Sequence, residues 1–209
     1  MLNIDILENL RRLNKIAGAR DEATGKHTQR IAFYCKLLAK AMGLSSYFTN
    51  DLFFASPMHD IGKVGIPDNI LLKPEKLTED EFNIMKTHCE IGYKILKDSG
   101  NYKKDCIFNL AAEIALSHHE KFDGSGYPNG LKGKDIPISG RITIIADVFD
   151  ALTNERVYKP VYSVEESIKI MRDEMSPGKA FDPDIFTVFI ENIDGLNSIK
   201  EKQGKYEQR

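Results

Sequence analysis

The residues with the most chemistry to offer stand together in Met58-His59-Asp60-Ile61-Gly62-Lys63. A carboxylate can bridge two cations while an adjacent imidazole ligates one of them, so the His59-Asp60 doublet can seed a binuclear metal centre. The chain holds five histidines, His27, His59, His88, His118 and His119. Scattered single histidines usually end on the surface or hydrogen-bonded in the core. Here each falls within or at the end of an apolar helical pattern, with residues of ligand type at workable positions. Lys63 lies four residues past His59 and three past Asp60, on the same face of a helical turn. A lysine beside a cation cluster suits a phosphate better than a structural role.

The elements that must position these groups read as helices throughout. From Leu2 to Ala17, Ile6, Leu7, Leu10, Leu13 and Ile16 recur at helical spacing, giving an amphipathic helix that either covers the core or pairs with a second copy. The spacing predicts a second helix from Thr24 to Met42, with His27, Ile31, Tyr34, Leu38 and Met42 on one stripe and Gly43 as its stop. His27 then points inward. A third starts at Ser46 and carries Leu52, Phe53 and Ala55 to the doublet, bent by Pro57. Val64 to Glu75 reads as a loop. Thr78 and Glu81 make a capping box for a helix that stacks Phe82, Met85, His88, Ile91 and Ile95.

A further helix from Asp105 carries Ile107, Leu110, Ala111, Ile114 and Ala115 up to His118 and His119, and the glycine-rich Asp123 to Pro128 follows. Adjacent helical side chains diverge by about 100°, so both histidines serve one cluster only if it sits above the helix end. Ser139 is the expected N-cap of Arg141 to Thr153, whose stripe is Ile142, Ile145, Ala146, Phe149 and Leu152. Asp147 and Asp150 share a face bordering that stripe, and an inward carboxylate without a cation is expensive to bury. Ser163 with Glu166, and Asp182 with Pro183, open the last two helices. The charged tail after Ser198 is expected to fray. No strand alternation stands out, so the fold class is all-α.

Length and composition set the bounds. The 209 residues suffice for one sizeable core. A net charge of −2 advertises neither a nucleic acid polymer nor an anionic membrane as partner, so an anionic ligand must be held locally. Cys35, Cys89 and Cys106 lack CxxC spacing and read as reduced core thiols, which with the absence of a signal or spanning segment points to the cytoplasm.

Several longer pieces now bear on identity: TGKHTQR from Thr24, HDIGKVGIPD from His59, HHEKFDGSGYPNGLKGKDIP from His118, IADVFDALT from Ile145, ERVYKP from Glu155 and GKAFDP from Gly178. In this order and spacing they resemble the HD-GYP domain family, from Ala19 to Phe189. The resemblance implies an HD-domain helical bundle that hydrolyses cyclic di-GMP to pGpG and GMP, using two divalent metal ions, iron or manganese. It implies one cation on His27, His59, Asp60 and Asp147 and a second on His88, His118 and His119, with Asp60 bridging. Two such cations can neutralise a phosphate under attack and activate the attacking water. Lys63 would stabilise charge on the phosphoryl oxygens, and Asp60 and Asp150 join it in the catalytic set. Gly126, Tyr127 and Pro128 form the signature loop, and Arg156 and Lys159 grip the dinucleotide; on their own these two would read as solvated surface charges.

The domain division that follows is an N-terminal helix over residues 1–18, a catalytic domain over 19–196 and a charged tail over 197–209. Two other readings compete: a module that senses cyclic di-GMP or docks a protein partner through the Tyr127 loop with little turnover, and an HD hydrolase of another nucleotide phosphate. A homodimer through the first helix belongs among the expected assemblies. One departure stands out. Relatives with three metals carry a glutamate four residues before the first histidine, where this chain has Ala23, with Glu22 beside it.

Overall fold

The computed structural model describes residues 8, 9, 12, 13, 25–97, 107–154 and 161–205. Ten α-helices are laid out among them: α1 (Gly25–Ala41), α2 (Ser46–Ala55), α3 (Asp68–Leu71), α4 (Glu79–Lys86), α5 (His88–Lys97), α6 (Ile107–Ser117), α7 (Ile138–Thr153), α8 (Val164–Asp173), α9 (Pro183–Glu191) and α10 (Ile193–Lys205). Short 3-10 turns at Ser56–Met58, Ile61–Gly65 and Gly133–Asp135 join them. The described residues contain no strand, only an isolated bridge between Pro177 and Phe181. The all-α expectation holds.

The stripes read from the sequence meet in one core. Ile31, Tyr34 and Leu38 of α1 pack with Leu52 of α2, Ala111, Ile114 and Ala115 of α6, and Ile142, Ile145 and Phe149 of α7, all fully buried. Such burial contributes on the order of 1.5–3 kcal/mol for each large side chain, before chain entropy is set against it. From the N-terminal stretch Glu8, Asn9, Arg12 and Leu13 are helical, and Leu13 packs against this core. Cys35 and Cys89 are buried and unpaired, and burial pushes the Cys35 thiol up to about 12. Cys106 lies outside the described residues.

Caps and breaks decide where helices stop. Thr78 with Glu81 and Ser163 with Glu166 form the two capping boxes, and Asp182 accepts from the Asp184 N–H ahead of Pro183. Four expectations are corrected. The loop from Val64 contains a 3-10 turn and the short α3. The helix foreseen from Thr78 through Ile95 is two, broken at Thr87, and of its expected stripe His88 is buried while Phe82 is 44% exposed. Ser139 is no cap: α7 begins behind Pro137, and the Ser139 hydroxyl donates to Glu113 across the core boundary at 2.6 Å. The last helix foreseen from Asp182 ends at Glu191, and a further one, α10, runs through the charged positions to Lys205 in place of the fraying expected after Ser198.

Candidate metal centre

Pro57 ends α2 in a 3-10 turn, and the His59-Asp60 doublet sits where that turn gives way to the next, Ile61–Gly65. This second turn lies tight against α5. A methyl group at Gly62 would overlap the His88 carbonyl, so only glycine lets the Asp60 backbone approach the His88 helix this closely. The remaining donors arrive from three directions, His27 near the start of α1, His118 and His119 just past the end of α6, and Asp147 midway along α7.

Four of the imidazoles hold Nδ1 in an outward hydrogen bond, three of them to main-chain carbonyls. His59 donates from Nδ1 to the Ser56 carbonyl at 3.0 Å, and His88 donates to the Met85 carbonyl at 2.8 Å. His118 shares its Nδ1 hydrogen between the Ile114 and Ala115 carbonyls, both at 3.1 Å. His27 differs, donating to Asp150 Oδ2 at 2.7 Å. A carbonyl can only accept, so in each neutral ring the Nε2 carries the lone pair and faces the centre.

The Nε2 atoms gather around Asp60 in two groups. On one side His59 Nε2 is 3.3 Å from Asp60 Oδ2 and 3.4 Å from His27 Nε2, with Asp147 Oδ1 at 3.6 Å from His27 Nε2. On the other, His88 Nε2 and His118 Nε2 lie 3.3 and 3.6 Å from Asp60 Oδ1, and 3.5 Å from each other. Ligand atoms of Asp60, His88, His118 and His119 fall within 4.8 Å of one another, as do those of His27, His59 and Asp60. Asp60 Oδ1 is buried without a hydrogen-bond partner. Pairs of imidazole lone pairs aimed at each other beside an orphaned carboxylate oxygen are costly unless a cation lies between them. The donor set therefore fits two cations that share Asp60.

Electrostatics agree with that reading. Burial alone would raise the Asp60 carboxyl, but Lys63 and His59 hold it well below the usual range, with Lys63 Nζ 2.9 Å from Oδ2. Desolvation lowers His88 to about 4 and holds His119 well below its ordinary value, so both rings stay neutral and able to ligate. His59 moves up: its burial is outweighed by Asp60 and Asp147.

Asp150 stands apart from its expected place in the catalytic set. Its carboxylate is taken by His27 Nδ1 and by Arg30, whose Nε and Nη2 donate at 2.6 and 2.9 Å, and it is 1% exposed. It lies behind His27, whose ring it orients through Nδ1. Sequence reasoning gave Arg30 no role, although its place three residues after His27 on α1 was the available signal.

The Gly126-Tyr127-Pro128 loop folds back over the second cluster. A methyl group at Gly126 would overlap the Lys121 N and Glu120 Cα. Tyr127, joined to Pro128 by a cis peptide, donates its N–H to the His119 carbonyl at 3.2 Å and stacks on the His119 ring at 4.7 Å. Glu120, 1% exposed and likewise given no role from sequence, accepts from the Asn129 and Leu131 N–H groups at 2.8 and 3.0 Å and pins the loop. Arg156 and Lys159, and Glu22 and Ala23 near the first histidine, lie outside the described residues.

Comparison with known proteins decides the family, since a family model described as HD domain matches residues 11–185. The chain belongs to the HD domain family. The HD-GYP resemblance stands within it. This HD domain is 46% identical to a cyclic di-GMP phosphodiesterase of Thermotoga maritima over 185 residues, covering 88% of this chain and 49% of that protein. It is 44% identical to 3'3'-cGAMP-specific phosphodiesterase 2 of Vibrio cholerae serotype O1, covering 95% of this chain and 38% of that one. The chain thus spans half or less of the length of these relatives. Among solved structures, a cyclic GMP-AMP specific phosphodiesterase of V. cholerae has the same fold, with a TM-score of 0.68 at 21% identity over 96% of this chain and 52% of that one. A phosphodiesterase HD domain of L. monocytogenes in complex with cyclic di-AMP gives 0.59 at 20% identity, over 90% of this chain and 97% of that one. No described helix is long and apolar enough to cross a membrane.

Proposed function

We propose that this HD domain is a metal-dependent phosphodiesterase that hydrolyses cyclic di-GMP to pGpG, with two divalent cations on His27, His59, Asp60 and Asp147 and on Asp60, His88, His118 and His119. The observation that carries the reading is the split Asp60 carboxylate, one oxygen in each histidine group and one of them unpartnered. Imidazole and carboxylate donors suit iron and manganese, and such cations supply the Lewis acidity that phosphodiester hydrolysis uses.

The chain's own residues do the rest. Lys63, held on Asp60 in the 3-10 turn, puts an ammonium at the rim of the cluster, where it meets the charge that grows on a phosphoryl oxygen. Tyr127, stacked on His119, walls the second group, and burial pushes its hydroxyl up, so it stays a neutral hydrogen-bonding group. Arg30 and Asp150 hold His27 with Nε2 inward. Arg156 and Lys159 keep the roles of dinucleotide contacts that the family resemblance implies. Buried unpaired cysteines fit a cytoplasmic setting.

The 44% identity to a cGAMP-specific relative favours a second substrate, 3'3'-cGAMP, at the same site. The test incubates the metal-loaded chain with each cyclic dinucleotide in turn, with metals counted by elemental analysis and products resolved by chromatography. Conversion of cyclic di-GMP to pGpG by chain carrying two metals is the expected outcome. Turnover of cGAMP alone would transfer the assignment to that substrate, and turnover of neither would overturn it.

A further inference from the structure

Helix α4 has no buried residue, yet it carries a phenylalanine. A Phe that served only to pack would be covered, and Phe82 is 44% exposed. Its ring meets Tyr127 edge to face at 6.1 Å, and Tyr127 in turn stacks on His119 of the second cluster at 4.7 Å. Lys86, one turn along the same face of α4, places Nζ 5.2 Å from the Phe82 centroid and 6.0 Å from that of Tyr127. An aromatic wall therefore runs outward from the cation-binding residues and ends in an open ring with an ammonium beside it.

We propose that Phe82, Tyr127 and Lys86 form a stacking subsite for one nucleobase of an anionic nucleotide ligand. Every base has a π-face, so an exposed ring at the edge of a phosphate-binding centre is a platform for it, and stacking of this kind is sequence-tolerant. The lysine fixes the sign of the ligand: it attracts the phosphate-bearing side of a nucleotide and repels a cationic aromatic molecule. With the phosphate at the cluster and the base on Phe82, the wall is spanned by a single nucleotide unit. This inference rests on the phosphodiesterase reading and adds to it a base-recognition element on a helix that otherwise contributes nothing to the core.

The experiment measures binding of linear pGpG to the manganese-loaded chain by calorimetry, for wild type, Phe82→Ala, Phe82→Leu and Phe82→Trp, with inorganic phosphate as a probe that has no base. The Ala and Leu variants should lose about 10-fold or more in affinity for pGpG, the Trp variant should retain it, and phosphate affinity should be the same in all four. The chain contains no Trp, so Phe82→Trp also supplies a single fluorophore that pGpG should quench and phosphate should not. Wild-type affinity for pGpG in the Leu variant would overturn the proposal in favour of apolar support for Tyr127. Equal losses for pGpG and phosphate would overturn it in favour of damage to the cluster. Wild-type affinity in the Ala variant would remove the subsite alone, whereas absence of binding by pGpG and cyclic di-GMP to wild type would remove the phosphodiesterase reading beneath it.

Discussion

The two halves of the cation-binding centre are oriented by different means. Around His88 and His118 the hydrogen-bond acceptors are main-chain carbonyls, those of Met85, Ile114 and Ala115, which belong to helices that exist for other reasons. Around His27 the acceptor is the Asp150 side chain, itself clamped by Arg30. The first arrangement is as durable as the helices and offers no side chain to remove. The second depends on a buried ion pair, a carboxylate that makes His27 a stronger donor but fails if either partner is lost. One half of the site is thus held by main-chain acceptors alone, whereas the other combines the Ser56 carbonyl behind His59 with two particular residues 120 positions apart in the chain behind His27.

The largest expected effect erases the distinction. Asp60→Ala removes the group that both halves share among the described residues, so neither cation would keep a full ligand set, and metal binding and hydrolysis should vanish together. Elemental analysis and chromatography of products from the purified variant check this; full metal content with full turnover would show that Asp60 is not the bridge. Lys63→Ala belongs to neither half. It should leave metal content unchanged and lower the catalytic rate by about 10²-fold or more, the order seen when one electrostatic stabiliser is lost. Loss of metal in this variant would instead make Lys63 part of the holding apparatus through its contact with Asp60.

Much of this was legible in the sequence, and the limits follow from physics. Helical stripes around Ile31, Leu38, Ile114 and Ile145 predict the core because periodicity reports which face is buried. The five histidines and Asp147 are brought together as their motifs suggest. Periodicity misses events at single residues, such as the break at Thr87 that divides α4 from α5 or the Pro137 start of α7 that leaves Ser139 to bond Glu113. It is also silent on which of two carboxylates at helical spacing faces the histidine cluster. Asp147 and Asp150 differ by three positions on one helix, yet Asp150 turns to Arg30 on α1, a contact that exists only once the two helices pack.

The asymmetry of the halves predicts an asymmetry in metal affinity. Asp150→Ala should weaken one cation by about 10- to 100-fold and leave the other in place, as loss of an outer hydrogen-bond partner usually does. Titration of the metal-free variant with manganese should then show two separated binding steps. Arg30→Ala leaves Asp150 buried without its guanidinium and should cost about 3 kcal/mol of stability in denaturant unfolding. Equal weakening of both cations by Asp150→Ala would mean that the halves are coupled more tightly through Asp60 than their separate backing suggests.

The smallest expected effect concerns a cation that should not be there. A third metal in relatives of this type is held by a glutamate four residues before the first histidine, and this chain has Ala23 in that place. Neither half supplies a substitute among the described donors, because the ligand atoms gathered around Asp60 fall into two groups and not three. Two metals per chain are therefore expected after anaerobic purification. Without a third Lewis acid the second phosphodiester of the ligand lacks help that the first receives, so pGpG should accumulate and GMP should appear slowly. Ala23→Glu should add up to one metal per chain and speed the second cut, with little change in the first. Three metals and rapid conversion to GMP in the unaltered chain would break the division into two halves and point to Glu22 as the extra ligand, a shift of one residue that the start of a helix can absorb.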